Sequence, residues 1–347
     1  MNTRVVSVPS VQQPIAASPG FAKKLLADFK LDCIGLCQFG CLYCSSNNGN
    51  YLRMNRAEFA DLTEQQLGVR SLPTGNPELM FDWPDFTERL EKQLAGKRPD
   101  FGKGMTLVYS MLTDGFSPRL VNSGITEKTL RTVLERTQFR IRVLTKNAIV
   151  GKQKWLDFFQ EHASRFVVGL SIGSLDDRWA KEVERGTPSP SHRLKAMAQL
   201  QAAGIATYGM LCPVFPDVLE GNRLEELVDR IRPDLVEHVW AEPFNDRRNW
   251  EAVRSGYDEG SSGYKWLTAV YEREEKHLWS EYATELYVRL RDKAKREGWL
   301  RKLRYLLYEL DITPKDANHF KGLKGVLLQS KPGEDGKSRN PHIAALQ

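Results

Sequence analysis

The sequence predicts an α/β fold on parallel strands, and three observations predict it. Six short apolar runs rich in β-branched residues recur, near residues 29–34 and at 104–110, 139–145, 166–172, 205–211 and 235–241. Each has the length and composition of a strand buried on both faces. Amphipathic helical patterns lie between them. Few hairpin signals separate them, so crossovers must join successive strands, which makes the strands parallel. Six such units would make an open, partial version of the α/β barrel.

The elements follow in order. Residues 1–20 are rich in Pro, Ser and Gln and read as a flexible leader. They lack the continuous apolar core of a secretory signal. The main domain is expected over residues 21–250. Residues 47–103 are longer than one crossover helix needs, so they read as that helix plus an insertion. Helix 126–137 begins at Thr126 and Glu127. Helix 150–162 carries Trp155, Leu156, Phe158 and Phe159. Helix 190–203 sets Leu194, Met197 and Leu200 on one face and stops at Gly204. A short helix covers 222–231. Residues 251–329 read as a helical C-terminal extension, with long charged helices over 262–279 and 281–298. Residues 330–347, rich in Gly, Lys, Ser and Pro, read as a flexible tail.

The chain has 347 residues, 41% apolar and 27% charged, which suits a globular fold. No run approaches the roughly 20 apolar residues of a membrane helix. A cytoplasmic location is expected, or the host cytoplasm if the source is viral. A net charge of +6 permits a polyanionic partner without requiring one. The charge is uneven: eight Lys or Arg lie between Arg289 and Arg304 against two acids, with Trp299 and Tyr305 close by. Such a segment either contacts phosphates or is a solvated helix face.

Four of the five cysteines, Cys33, Cys37, Cys41 and Cys44, fall within twelve residues, and Cys212 stands apart. An odd, clustered set without a secretion signal argues against a disulfide framework and for a metal or cluster site. Cys37-Gln-Phe-Gly-Cys41-Leu-Tyr-Cys44 is a C-x3-C-x2-C motif. Thiolates ligate iron–sulfur clusters. Three thiolates on a four-iron cubane leave one iron open to a small chelating α-amino carboxylate. The competing reading is a structural zinc site with Cys33 as fourth ligand, but zinc ligands usually come as two well-separated pairs. Cys33 otherwise reads as a small buried residue.

With Tyr43 before its third cysteine, this motif resembles that of the radical S-adenosylmethionine (SAM) superfamily. Further segments agree in order: Ser110-Met-Leu-Thr113-Asp114-Gly-Phe-Ser-Pro118, Leu144-Thr145-Lys146-Asn147, Ser171-Ile-Gly-Ser174-Leu175-Asp176, Glu184-Arg185-Gly-Thr-Pro-Ser-Pro190 and Cys212-Pro213-Val214-Phe215-Pro216. Over roughly residues 28–245 the chain is similar to the spore photoproduct lyase-like, or DNA repair photolyase-like, branch. The resemblance implies a partial (β/α)6 radical SAM barrel carrying one [4Fe–4S] cluster on Cys37, Cys41 and Cys44. It implies that SAM is cleaved to a 5′-deoxyadenosyl radical that takes hydrogen from an unreactive carbon. Tyr43, Ser110, Thr113, Asp114, Lys146 and Ser171 match positions near SAM. Lys146 ends an apolar strand, where a cation would reach the SAM carboxylate or ribose, and the serines offer hydroxyls. A reductant such as flavodoxin or ferredoxin is implied as a partner.

The chain also departs from the lyase. Val108 stands where the lyase has a hydrogen-donor cysteine, and Ser45 where it has a tyrosine after the last cluster cysteine. The lyase's route for returning the radical is therefore not expected. Cys212 and Glu242 end later strands and are candidate catalytic residues. For Cys212 the alternative is a buried strand cysteine. Asn245 and Asp246 also suit loop capping, and His192 and His238 read as packing or surface residues. The expected activity is hydrogen abstraction from a thymine-derived base, in DNA or as a nucleotide. The outcome would be isomerisation of a modified thymine, or lesion reversal. The alternatives are a radical SAM enzyme acting on a small molecule or peptide, and a structural Fe–S or zinc protein that binds nucleic acid.

Overall fold

A computed structural model describes residues 4–9, 13–44, 46, 56–71, 79–246 and 248–347. The chain divides into two compact units. The first comprises Met1–Leu170, Asp177–Ala206 and Asp246–Val253, and the second Ser171–Asp176, Thr207–Asn245 and Arg254–Gln347. Among the described residues no helix is long and apolar enough to cross a membrane.

The first unit holds strands β1 (Arg4–Ser7), β2 (Ile15–Ala17), β3 (Phe29–Leu31), β4 (Ile34–Leu36), β5 (Leu79–Asp82), β6 (Thr106–Tyr109), β7 (Arg140–Thr145) and β8 (Phe166–Ser171), the last up to Leu170. Strands β3, β6, β7 and β8 pair in parallel in that order, and β2 adds to β3 antiparallel. The expected α/β rhythm of largely parallel strands is what the chain adopts. All six residues of β8 are buried, as a strand covered on both faces requires. The crossover helix Gln153–Glu161 buries Trp155, Phe158 and Phe159. Their rings meet Phe116 and Phe166 edge-on or tilted, at centroid distances of 4.8–5.6 Å. Burying each such ring is worth roughly 1.5–3 kcal/mol.

One sequence expectation changes in this unit. The described parts of residues 1–20 are not a loose leader: β1 pairs with β5, and β2 with β3. These strands are only three or four residues long, too short to show a period. The expected insertion at 47–103 falls partly outside the described residues, at 47–55 and 72–78. Its described parts are the helix Arg56–Leu67, strand β5 and the helix Phe86–Ala95. Strands β1, β5 and β4 form a small sheet whose core is Val6, Val8, Leu36, Phe59, Leu79 and Phe81.

The second unit holds β9 (Thr207–Val214), β10 (Val236–Pro243), β11 (Leu303–Leu307) and β12 (Val326–Leu328), paired in parallel in that order. The helical extension expected over 251–329 is thus corrected, because β11 and β12 add two parallel strands. Their short apolar cores adjoin basic residues that carry on the charge of the preceding helix, which hid them. The helices read at 262–279 and 281–298 are Ser262–Leu267, a π turn at Thr268–Glu272, and one long helix, Lys276–Arg296. The tail at 330–347 is tied down rather than flexible. Asn340 Nδ2 donates to the carbonyls of Glu309 and Ile312 at 2.7 and 2.8 Å, and Ile343 is fully buried.

The basic segment is largely occupied within the unit. Arg289 pairs with Glu225 and Glu285. Lys293 is buried between Asp229 and Glu297, at 2.6 and 2.7 Å. Lys302 donates to the Pro233 and Asp234 carbonyls, and Arg304 to those of Arg301 and Leu303. Trp299 and Tyr305 are buried, so neither ring is presented to solvent.

Candidate functional site

The cysteine loop leaves β4 and turns at Cys41, whose carbonyl accepts the Cys44 amide at 3.1 Å. Its backbone is held from several sides. The Leu42 amide donates to the Val183 carbonyl at 2.9 Å, and the Phe39 carbonyl accepts the Gly186 amide at 2.9 Å. Asn249 Nδ2 donates to the Leu42 carbonyl at 2.7 Å, and Gln38 Oε1 accepts the Arg119 amide at 3.0 Å. The approach at Gly186 is close enough to require glycine. A Cβ there would lie 2.9–3.1 Å from the Gln38 and Phe39 backbone, closer than side chains tolerate.

Behind the loop lies a buried ion network. Glu184 accepts the Tyr43 hydroxyl on one carboxylate oxygen and the Arg193 guanidinium on the other. Lys146 Nζ is 3.9 Å from Glu184 and 5.5 Å from the centre of the Tyr43 ring. Arg193 is fully buried, and its Nε also donates to the Pro188 carbonyl at 2.9 Å. Burial pushes the Glu184 carboxyl up, but Arg193 and then Lys146 outweigh it and hold its pKa below the usual range. The same burial, with Glu184 beside it, raises the Tyr43 hydroxyl well above its usual value.

The thiols sit in this desolvated ground. Burial, then the neighbouring charges of Cys44 and Asp114, push Cys37 up to about 12. Burial raises Cys41 well above its usual value, with Lys146 acting against it. The charge of Cys44 acts on both Cys37 and Cys41. Among the described residues no three His, Cys, Asp or Glu converge to hold one metal ion. A cluster takes one thiolate on each of several irons, and three cysteines in one loop are donors of that kind. Cys33 is separately engaged: buried, it lies 3.4 Å from the Tyr109 hydroxyl, and burial pushes its thiol up to about 12.

The other predicted residues fall into three groups. Lys146 joins the cysteine loop through Glu184 and Tyr43. Asp114, Thr113 and Ser110 are built into the strand ends. Asp114 accepts from the Thr145 hydroxyl at 2.8 and 3.0 Å, the Lys146 amide at 2.8 Å and the Phe116 amide at 2.9 Å. It therefore joins the ends of β6 and β7. Thr113 donates its amide and hydroxyl to Asp32 Oδ1 at 3.1 and 3.2 Å. Ser110 is buried with a left-handed backbone, φ 56°, and its amide donates to the Leu31 carbonyl at 2.7 Å. Ser45 lies outside the described residues.

The third group lies in the second unit. Ser171 Oγ donates to the Cys212 carbonyl at 3.0 Å. Cys212 Sγ lies 2.7 Å from Glu242 Oε2, while Glu242 Oε1 accepts the Tyr308 hydroxyl and, at 3.4 Å, Gln329 Nε2. Cys212 and Glu242 are thus brought together, as ends of the adjacent strands β9 and β10. In the first unit Asp246 accepts the Asn249 and Trp250 amides at 2.8 and 2.9 Å, the capping role open to it from sequence.

Sequence reasoning missed Arg193, Tyr308, Gln329 and Asp32. Arg193 had a signal, since it precedes Leu194 on the apolar face of its helix. Tyr308 follows a strand that read as helix, so nothing placed it beside Glu242.

No family model matches the chain. An uncharacterised protein of Acidianus two-tailed virus is 23% identical over 244 residues, 68% of this chain and 74% of the relative. An uncharacterised protein of Methanocaldococcus jannaschii is 26% identical over 127 residues, spanning 37% of this chain and 46% of the relative. Among solved structures the chain is similar to spore photoproduct lyase and to anSMEcpe. The lyase in complex with dinucleoside spore photoproduct is 17% identical, with a TM-score of 0.42 over 74% of this chain and 66% of the lyase. AnSMEcpe with bound AdoMet and the Cp18Cys peptide is 12% identical, with a TM-score of 0.44 over 78% of this chain and 61% of that one. The chain therefore spans just under two thirds of the length of either solved protein.

Proposed function

We propose that the chain is a radical SAM enzyme holding one [4Fe–4S] cluster on Cys37, Cys41 and Cys44 and acting on a thymine-derived base. The observation that carries this reading is the cysteine loop itself: three thiols in a C-x3-C-x2-C loop, clamped at Phe39 and Leu42, with Lys146 close behind. When bound, the cluster and SAM supply one-electron cleavage to a 5′-deoxyadenosyl radical able to take hydrogen from an unreactive carbon. The chain's own residues hold and shield that chemistry. Lys146 offers a cation to a carboxylate or ribose, and Tyr43, fixed by Glu184, walls the loop. Asp114 and Thr113 fix the strand ends, and Ser110 and Ser171 belong to the same set of strand-end residues.

Val108 offers no transferable hydrogen, which favours redox-neutral isomerisation of a modified thymine over lesion reversal through a thiol at that place. Cys212 is the alternative donor, its S–H oriented by Glu242. The pairing of the basic segment with its own unit favours a nucleotide over long duplex DNA, whose binding rests on exposed phosphate contacts.

Anaerobic reconstitution with iron and sulfide tests the reading. The protein should gain the visible absorbance of an iron–sulfur cluster and form 5′-deoxyadenosine from SAM and dithionite. Formation of no 5′-deoxyadenosine by cluster-loaded protein sinks it.

A further inference from the structure

The first unit contains a cavity of about 330 Å³, at the small end of ligand pockets. Its wall is mostly apolar, built from Pro14, Ile34, Trp83 and Leu112, with the charged side chains of Lys30 and Asp32 set into it. Strand alternation puts the two charges there. Phe29 packs against the Phe101 and Phe139 rings at 5.8 and 5.1 Å, and Leu31 is fully buried. Lys30, in β3, and Asp32, directly after it, project to the opposite side, into the cavity.

The two charges are opposite in sign but not spent on each other. Lys30 forms no ion pair among the described residues, although its charge acts on the Asp32 carboxyl. Asp32 is buried, and its Oδ1 takes the Leu112 and Thr113 amides and the Thr113 hydroxyl. Its Oδ2 accepts no hydrogen bond from the described residues. Burial pushes the Asp32 carboxyl up, with Lys30 acting against it. An ammonium on Oδ2 would offset the cost of that burial. Arg89 also lines the cavity, but it is engaged, with Asp85 at 3.3 Å among its contacts, and no ligand group is assigned to it.

This arrangement selects by charge. A simple anion would suit Lys30 but meet Asp32 as a like charge, and a simple amine would suit Asp32 but meet Lys30. A ligand with one charge of each sign satisfies both. Residues two apart on a strand stand only about 6.6 Å apart. The ligand's two charges must then lie close together, as the ammonium and carboxylate of an α-amino acid do. The apolar wall is left for its side chain.

We infer that this cavity binds one α-amino acid with an apolar side chain, its ammonium on Asp32 and its carboxylate on Lys30. The assignment goes beyond the proposed action on a thymine-derived base and does not depend on it. Titration calorimetry on the full-length chain tests it. The probes are L-leucine, isocaproate, which lacks the amine, and isoamylamine, which lacks the carboxylate. L-leucine should bind at least tenfold more tightly than either analogue. Asp32→Asn keeps an acceptor for the Leu112 and Thr113 amides, and it should erase the advantage over isocaproate alone. Lys30→Ala, at a partly exposed position, should erase the advantage over isoamylamine alone, and Lys30→Arg should keep part of it.

Equal affinity of the parent for leucine and either analogue overturns the assignment, as do variants that weaken all three ligands alike. So does displacement of leucine by SAM, which would make the cavity part of the cofactor site. Failure here is distinct from failure of the radical reading, which turns on 5′-deoxyadenosine formation by the cluster-loaded parent and not on leucine binding.

Discussion

Two thiols of the molecule differ in what stands beside them. Cys41 is raised chiefly by burial, which Lys146 offsets in part and the Glu184 carboxylate adds to. Cys212 has a carboxylate nearby, Glu242, at 2.7 Å. A neighbouring cation favours thiolate and a neighbouring anion favours the protonated thiol. Metal ligation needs thiolate, whereas hydrogen donation needs S–H. On the proposed function Cys41 would serve the first and Cys212 the second.

Mutation of the two thiols should give different outcomes. Cys41→Ala should abolish cluster incorporation, while Cys212→Ala should leave the iron content unchanged. Iron and sulfide quantification after reconstitution decides this, and equal loss in both variants would erase the distinction.

Next in size is the network behind the loop. Glu184→Ala leaves the fully buried Arg193 guanidinium without its carboxylate, which should cost roughly 3–5 kcal/mol. Thermal denaturation should show a large fall in Tm. A neutral result would mean that water or another acceptor satisfies Arg193.

The network also carries a pH signature. The Glu184 carboxyl is depressed in the folded protein, so its contribution is present above its ordinary value of 4.5 and is lost as pH falls through the lower folded value. The stability gap between the parent and Glu184→Gln should therefore narrow on acidification below 4.5. A gap that stays constant with pH would show that Glu184 does not act through its charge.

The smallest expected effect is at the second thiol. Glu242→Gln replaces the carboxylate that the Cys212 thiol meets with an amide and should change the reactivity of Cys212 by a small factor. The rate of Cys212 alkylation against pH, in a background lacking the other cysteines' reactivity, reads this directly. An unchanged profile would mean that Glu242 orients the thiol without tuning it.

How much of this was legible follows from the range of the interactions. The six central strands announce themselves because a buried parallel strand is a continuous apolar run. The cysteine loop and Lys146 were legible because ligand spacing and a strand-end cation are local features. Glu184 was visible as part of a motif, but its partner Arg193 lies nine residues on, and only the fold of the intervening Gly-Thr-Pro turn makes them meet. Tyr308 and Gln329 reach Glu242 because β10, β11 and β12 lie side by side, a relation with no local trace. The basic run from Arg289 to Arg304 misled for the same reason: the acids that satisfy it, Glu225 and Asp229, come from a helix more than sixty residues earlier.

The clamp at Phe39 and Leu42 bears on how the protein matures. Many small metal-binding modules are unfolded until their ion arrives, so that folding and loading are one event. Here the backbone of the cysteine loop is tied to Val183, Gly186 and Asn249 by bonds that involve no thiol. On the proposed cluster reading, folding of the loop and loading of iron and sulfide would be separable steps.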